Sequence, residues 1–116
     1  MKRYADKIFM VTGGGGGIGR AICLRLANEG AAIAVLEKND AAAAETVRQV
    51  EAASGRAAAV HADITDWESI QNGVAEAEQA LGPLDGLINN AGWAQRGNLE
   101  DTEPEDWDKE IAVNLR

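Results

Sequence analysis

Val11-Thr12-Gly13-Gly14-Gly15-Gly16-Gly17-Ile18-Gly19 sets five consecutive glycines between a short apolar run and a helix-like pattern. Without a Cβ, glycine reaches positive φ and lets peptide N–H groups come close to a bound group. A helix starting just after such a turn presents unpaired N–H donors and the positive end of its dipole. Together these favour phosphate, and a pyrophosphate can be held there without a lysine. Five glycines satisfy several glycine patterns by accident, including G-x-G-x-x-G at Gly14, Gly16 and Gly19, so the flanks decide. Ile8-Phe9-Met10-Val11 reads as a buried strand, and Ile18, Ile22 and Leu26 recur at helical spacing. Glu37 ends a second apolar run, Ala32 to Leu36, about twenty residues past the turn. A dinucleotide-binding unit places the acid that meets its ribose at this point. A flexible glycine linker is the plain alternative, and the strand and helix patterns on either side speak against it.

The 116 residues are enough for one domain at most. Hydrophobic residues make up 46% and charged residues 26%, as in a soluble globular chain and unlike a disordered one. The net charge of −8, with no Lys/Arg cluster, argues against a nucleic-acid surface. The same charge opposes an anionic ligand only weakly, because salt screens beyond roughly 8 Å and the local helix dipole acts at closer range. Cys23 is the one cysteine, which excludes an internal disulfide and a cysteine-rich metal site. It reads as a small, buried helix residue. His61 has no second histidine to join it in a metal site. No apolar stretch reaches membrane length and residues 1–7 lack a signal-peptide core, so the expected location is cytoplasmic.

Strand-like and helix-like segments alternate along the chain, which implies a parallel sheet. Asn39 or Asp40 can cap a second helix with Ala43, Val47 and Val50 on one face, ending near Gly55. A third strand is expected over Ala57–Ala62. Thr65 and Glu68 form a capping box for a third helix whose Ile70, Val74, Ala77 and Leu81 share a face, stopped by Gly82-Pro83. A fourth strand over Leu84–Ile88 runs into Asn89-Asn90-Ala91-Gly92. Thr102 and Glu105 then form a second capping box, for a helix carrying Trp107 and Ile111. Trp67 and Trp107 are expected to face the core. Trp93 and residues 94–101 leave the carboxyl end of the fourth strand, where they either wall a substrate site or simply pack under a loop.

These motifs together resemble the classical short-chain dehydrogenases/reductases over almost the whole chain. Thr12-Gly13-x-x-x-Gly17-Ile18-Gly19 matches the family's cofactor motif and Asn89-Asn90-Ala91-Gly92 its second signature. Asp63-Ile64 matches the adenine-contacting pair, and Asn114 in Val113-Asn114-Leu115 falls at the helix asparagine. The resemblance implies an α/β Rossmann-type, doubly wound parallel sheet, here the first half plus strand 4 in the order 3-2-1-4, as a partial NAD(P)-binding domain over residues 1–116. It assigns the pyrophosphate to Gly13, Gly17 and Gly19 and the adenosine ribose to Glu37. Asp63 takes the adenine amino group and Ile64 packs beside the ring. Asn90, Ala91 and Gly92 border the ribose and nicotinamide, while Asn89 is mainly structural. A carboxylate at position 37 repels a 2′-phosphate and so favours NAD over NADP, although the neighbouring Lys38 could pair with that phosphate.

The family's chemistry uses a serine and a Tyr-x-x-x-Lys pair for proton transfer, with the asparagine holding a water in the relay. Only the asparagine, Asn114, is present. Tyr4 has no lysine four residues on, and Ser54 and Ser69 lie in other segments. The expected function is hydride transfer between a nicotinamide and an alcohol or ketone by a complete, homo-oligomeric protein, with these 116 residues an inactive part of it whose fourth strand is an open, sticky edge. The final helix pattern reaches Arg116 without a C-cap, as expected of an interrupted reading frame or a partial sequence. A short, non-catalytic nucleotide-binding or interaction module is the alternative.

Overall fold

Four parallel strands lie in the order β3-β2-β1-β4, which matches the expected 3-2-1-4 arrangement. The structure, a computed structural model, describes residues 2–91. The strands are β1 (Ile8–Thr12), β2 (Ala32–Glu37), β3 (Arg56–His61) and β4 (Gly86–Ile88). They alternate with α1 (Gly17–Asn28), α2 (Asp40–Ala52) and α3 (Trp67–Leu81). The Thr102/Glu105 capping box, Gly92, Trp93, Trp107, Ile111 and Asn114 lie outside the described residues.

Side chains alternate across a strand, so each central strand feeds two cores. Val11, Ile33 and Val35 pack with Cys23 and Ala27 of α1 and with Ala43 and Val50 of α2. Met10, Ala34, Leu36 and Val60 pack on the other face with Ala77 of α3, and Val74 and Leu81 flank them. Helices therefore cover both faces of the sheet, and β2 is apolar from Ala32 to Leu36 because neither of its faces meets water.

The boundaries move where a side chain replaces a ladder bond or a cap. β3 begins one residue before the expected Ala57 and ends at His61. β4 is shorter than Leu84–Ile88 because Asp85 ties in beside Ile8. Its carboxylate accepts from the Ile8 N–H (2.9 Å) and its own N–H donates to the Ile8 carbonyl (2.7 Å). Asn39 caps α2 by accepting from the Ala42 N–H at 3.0 Å. For α3 the cap is Asp66, which accepts from Glu68 and Ser69 N–H groups, and the Thr65/Glu68 box does not form. Thr65 instead donates its hydroxyl to Asp63 at 2.7 Å.

Two helix faces are corrected. The buried stripe of α1 is Gly19, Cys23 and Ala27, with Ile22 and Leu26 at its flank and Ile18 exposed. Small residues occupy the centre because this helix packs closely on β1 and β2. Trp67 is also exposed, because it begins α3 at the sheet's carboxyl edge, beyond the strand residues that the rest of the stripe covers.

Candidate functional site

The carboxyl ends of β1, β2, β3 and β4 converge on one edge of the sheet, where the strand order turns back between β1 and β4. Ligands bind in the crevice outside such a switch point in open α/β sheets. The glycine run fills the step from β1 into α1. Gly13 leaves the strand at φ +65° and Gly17 opens the helix at φ +53°, left-handed values that a side chain resists. Gly19 meets the Gly13 carbonyl and the Asn90 amide so closely that there is no room for a methyl group. Around Gly16 and Gly17 the situation is reversed: a Cβ at either position would meet nothing within 4 Å. The first half of the turn is thus packed against protein, and the second half faces open space.

The helix that follows has no side-chain cap and no acidic residue in its first turn. α2 and α3 have both, Asn39 with Asp40 and Asp66 with Glu68. The N–H donors at the start of α1 therefore face the open half of the turn without a carboxylate from the chain itself, an arrangement that suits an external anion.

Glu37 ends β2 beside this turn. Its carboxylate accepts from the Gly15 N–H at 2.9 Å and from the Asn39 N–H at 3.1 Å, one bond on each oxygen. An ionised carboxylate has about four lone-pair directions, so each oxygen keeps capacity for a hydroxyl donor. Lys38 points away from Glu37 toward Asp63, with its ammonium 3.7 Å from Oδ2. Asp63 Oδ1 accepts from the Thr65 N–H (2.9 Å) and hydroxyl (2.7 Å). These two bonds, the backbone one foremost, hold the Asp63 carboxyl below the usual carboxylate range, and Lys38 adds to the effect. Ile64 packs at the margin of the core on the α3 face.

On the β4 side, Thr12 fastens the two central loops together. Its hydroxyl accepts from the Asn90 N–H (2.9 Å) and the Ala91 N–H (3.0 Å) and donates to the Ile88 carbonyl (3.4 Å). One donor and two lone pairs are all that a hydroxyl has, so this one is fully committed within the protein. The Asn90 side chain donates to the Gly13 carbonyl at 3.2 Å. Thr12, Gly13, Gly19, Asn90 and Ala91 thereby form one knot. Asn89 lies beside it, exposed.

Two contributors were not apparent from the sequence. Arg20, in the first turn of α1, donates Nε–H to the Thr46 hydroxyl at 2.9 Å, and its terminal nitrogen donates to the carbonyls of Gly15 and Ala42. Thr46, fully buried on α2, donates to the Gly14 carbonyl at 2.7 Å. A threonine within a helix carries no local mark of a contact 32 residues away, so only the folded chain reveals it. His61, at the end of β3, lies 2.7 Å from the carboxylate of Asp40.

The described edge can hold a diphosphate at the mouth of α1, a diol at Glu37 and a flat ring near Asp63 and Ile64. The opposite edge of the sheet offers less. Of the cations that line it, Lys2 and Arg56 bond helix-terminal carbonyls, those of Asn28 and Leu81, and Lys7 lies beside them. No helix among the described residues is long and apolar enough to cross a membrane.

Comparison with known proteins agrees with this geometry. A family model described as short chain dehydrogenase matches residues 7–116. A 2,5-dichloro-2,5-cyclohexadiene-1,4-diol dehydrogenase of Sphingobium indicum is 38% identical over 112 residues, covering 97% of this chain and 45% of the relative. Among solved structures, a dehydrogenase/reductase from Sinorhizobium meliloti is 47% identical with a TM-score of 0.88, over 95% of this chain and 44% of the other. A xylitol dehydrogenase solved with NAD+ bound is 33% identical with a TM-score of 0.93, over 98% and 44%. The chain thus spans less than half the length of the curated relatives it matches.

Proposed function

We propose, from the premise that this chain belongs to the short-chain dehydrogenase/reductase family, that it forms the NAD-binding part of an oxidoreductase acting on an alcohol or ketone. The observation that carries the reading is the pairing of an uncapped α1 with open space at Gly16 and Gly17. The residues fit a nicotinamide dinucleotide. Gly13, Gly17 and Gly19 shape the turn that receives the pyrophosphate, and the first N–H groups of α1, from Gly17 through Ile18 and Gly19, supply donors. Thr12 acts indirectly, by keeping Asn90 and Ala91 against Gly13.

Glu37 reads the adenosine ribose. A diol can donate to the lone pairs that Gly15 and Asn39 leave free, whereas a 2′-phosphate would bring like charge against the carboxylate. NAD is therefore the cofactor of this reading. Lys38 is already turned toward Asp63, which supports the same choice. Asp63 accepts from the adenine amino group and Ile64 lies beside the ring. Asn90, Ala91 and Gly92 border the nicotinamide ribose, and Asn114 holds the water of a proton relay. The nicotinamide supplies or accepts the hydride when bound. The chain contains no Tyr-x-x-x-Lys pair, so these residues bind and orient, and proton transfer at the substrate oxygen belongs to other parts of a complete protein. Such a protein is expected to be cytoplasmic and homo-oligomeric.

Gly16 is the informative position to change. Its φ of −177° is ordinary extended backbone, so a side chain there strains nothing and only enters the open space. In the intact protein, NADH is expected to bind with a measurable heat, and Gly16→Leu to lose that binding while keeping its melting temperature. Gly17→Leu is expected to lose it too, with some strain added. Unchanged NADH affinity in Gly16→Leu, measured by calorimetry, would refute the pyrophosphate assignment.

A further inference from the structure

Between the glycine turn and α2 runs a continuous chain of hydrogen bonds. Arg20 Nε–H donates to Thr46 Oγ1 (2.9 Å), Thr46 donates to the Gly14 carbonyl (2.7 Å), and the Gly15 N–H of that same peptide donates to Glu37 (2.9 Å). One peptide unit therefore has a guanidinium-backed hydroxyl at its oxygen and a carboxylate at its N–H. Each bond polarises the next, so such a chain is stronger than its separate links. Among the described residues the guanidinium forms no salt bridge, and nearby Glu45 is taken by Arg48 and Gln49. Arg20 also bonds the Gly15 carbonyl. In a planar trans peptide N–H opposes C=O, so turning the Gly14 and Gly15 carbonyls toward α2 sends the Gly15 and Gly16 N–H groups the other way.

We infer that Arg20 and Thr46 are positioning residues that set selectivity for a dinucleotide with an unsubstituted adenosine diol, by fixing the Gly14–Gly15 peptide whose N–H holds the Glu37 carboxylate. This rests on the NAD-binding reading above. Without the Thr46 hydroxyl the Gly14 carbonyl loses its partner, and the peptide can rotate. Glu37 then keeps only the Asn39 N–H, and its carboxylate neither meets the diol squarely nor stands firmly against a 2′-phosphate.

The test is the ratio of NADPH to NADH dissociation constants, measured by fluorescence titration of the intact protein. Thr46→Val, nearly the same shape without the hydroxyl, is expected to weaken NADH by about tenfold and lower the ratio by about fivefold or more, the scale of one hydrogen bond to a charged system. Arg20→Gln is expected to lower the ratio in the same direction and serves if Thr46→Val does not fold. Thr46→Ser restores the hydroxyl and is expected to restore the ratio. In a Glu37→Gln background, Thr46→Val should no longer change the ratio, because the carboxylate through which it acts is gone. A ratio unchanged by Thr46→Val or Arg20→Gln, with only the melting temperature lowered, overturns the inference and leaves a merely structural bridge. Wild-type protein that binds neither dinucleotide overturns the NAD-binding reading itself.

Discussion

Gly19 and Gly16 stand three residues apart and answer to different demands. A Cβ at Gly19 would lie 2.6 Å from the Asn90 amide nitrogen and closer still to the Gly13 carbonyl, so backbone would have to move. Gly19→Ala is expected to destabilise the fold by about 2–3 kcal/mol, the cost of overpacking against atoms that cannot swing aside, as read by denaturant unfolding. A loss below half a kcal/mol would show that the contact relaxes freely. Gly16, with open space around it, is spared this cost, so a change there should affect binding and leave stability intact. Cys23 makes a third case. Burial pushes its thiol up to about 12, with Arg20 opposing only weakly, so the reactive thiolate is scarce at neutral pH. It is expected to resist alkylating reagents until the protein unfolds, and rapid labelling of the native chain would contradict the packing of α1. The residues of the candidate site were legible in sequence at Gly13, Gly17, Gly19 and Glu37, because their spacing relative to β1, α1 and β2 is local. Arg20 and Thr46 were not, because the partners that give them a role come from another element.

The helices show how their beginnings are chosen. α3 starts at Trp67 because Asp66 accepts from two of its first N–H groups, while Thr65 is drawn to Asp63. Removing the cap with Asp66→Ala is expected to cost about 1 kcal/mol, as for other N-caps. Thr65→Ala should cost less at the helix start and instead loosen Asp63. Equal unfolding midpoints for Asp66→Ala and wild type would move the cap back to Thr65. At Ile18 and Trp67 the periodicity points toward the core, yet both side chains are exposed. Each lies in the first turn of a helix that starts at the carboxyl edge of the sheet, and a helical repeat says nothing about where the sheet beneath it ends. Strand interiors were read correctly because apolar runs belong to the strand itself. The start of β4 was not, because Asp85 bonds Ile8 through its side chain and sets the edge from 77 residues away.

Across the molecule, the amino-terminal segment is fastened to the far end of α1. Arg3 and Arg25 both reach Glu29, at 3.0 and 3.4 Å, and Tyr4 stacks edge-on against Phe9 with ring centres 5.4 Å apart. The Arg3 side chain, foremost, brings the Glu29 carboxyl down to about 2. A carboxylate held lower in the folded than in the unfolded chain stabilises above its ordinary value and loses that contribution as pH falls toward the folded value. Glu45, also at about 2 beside Arg48, acts in the same direction. The melting temperature is therefore expected to fall between pH 4.5 and 2, with Glu29→Gln lower at neutral pH and less steep over that interval. Parallel curves for wild type and Glu29→Gln would show that the carboxylate contributes nothing to the acid limb.

The sequence by itself determined the alternation of strands and helices, the glycine turn and the acid at the end of β2, since each depends on residues close together in the chain. The order β3-β2-β1-β4 was expected from the family resemblance, because alternation and right-handed crossovers by themselves fit other parallel orders as well. Only the tertiary structure decided which half of the turn is packed and which is open, and that the hydroxyl of Thr12 is used up within the protein. It alone brought Arg20 and Thr46 behind Glu37, because hydrogen bonds between elements depend on where folding places them and leave no periodic trace in the chain.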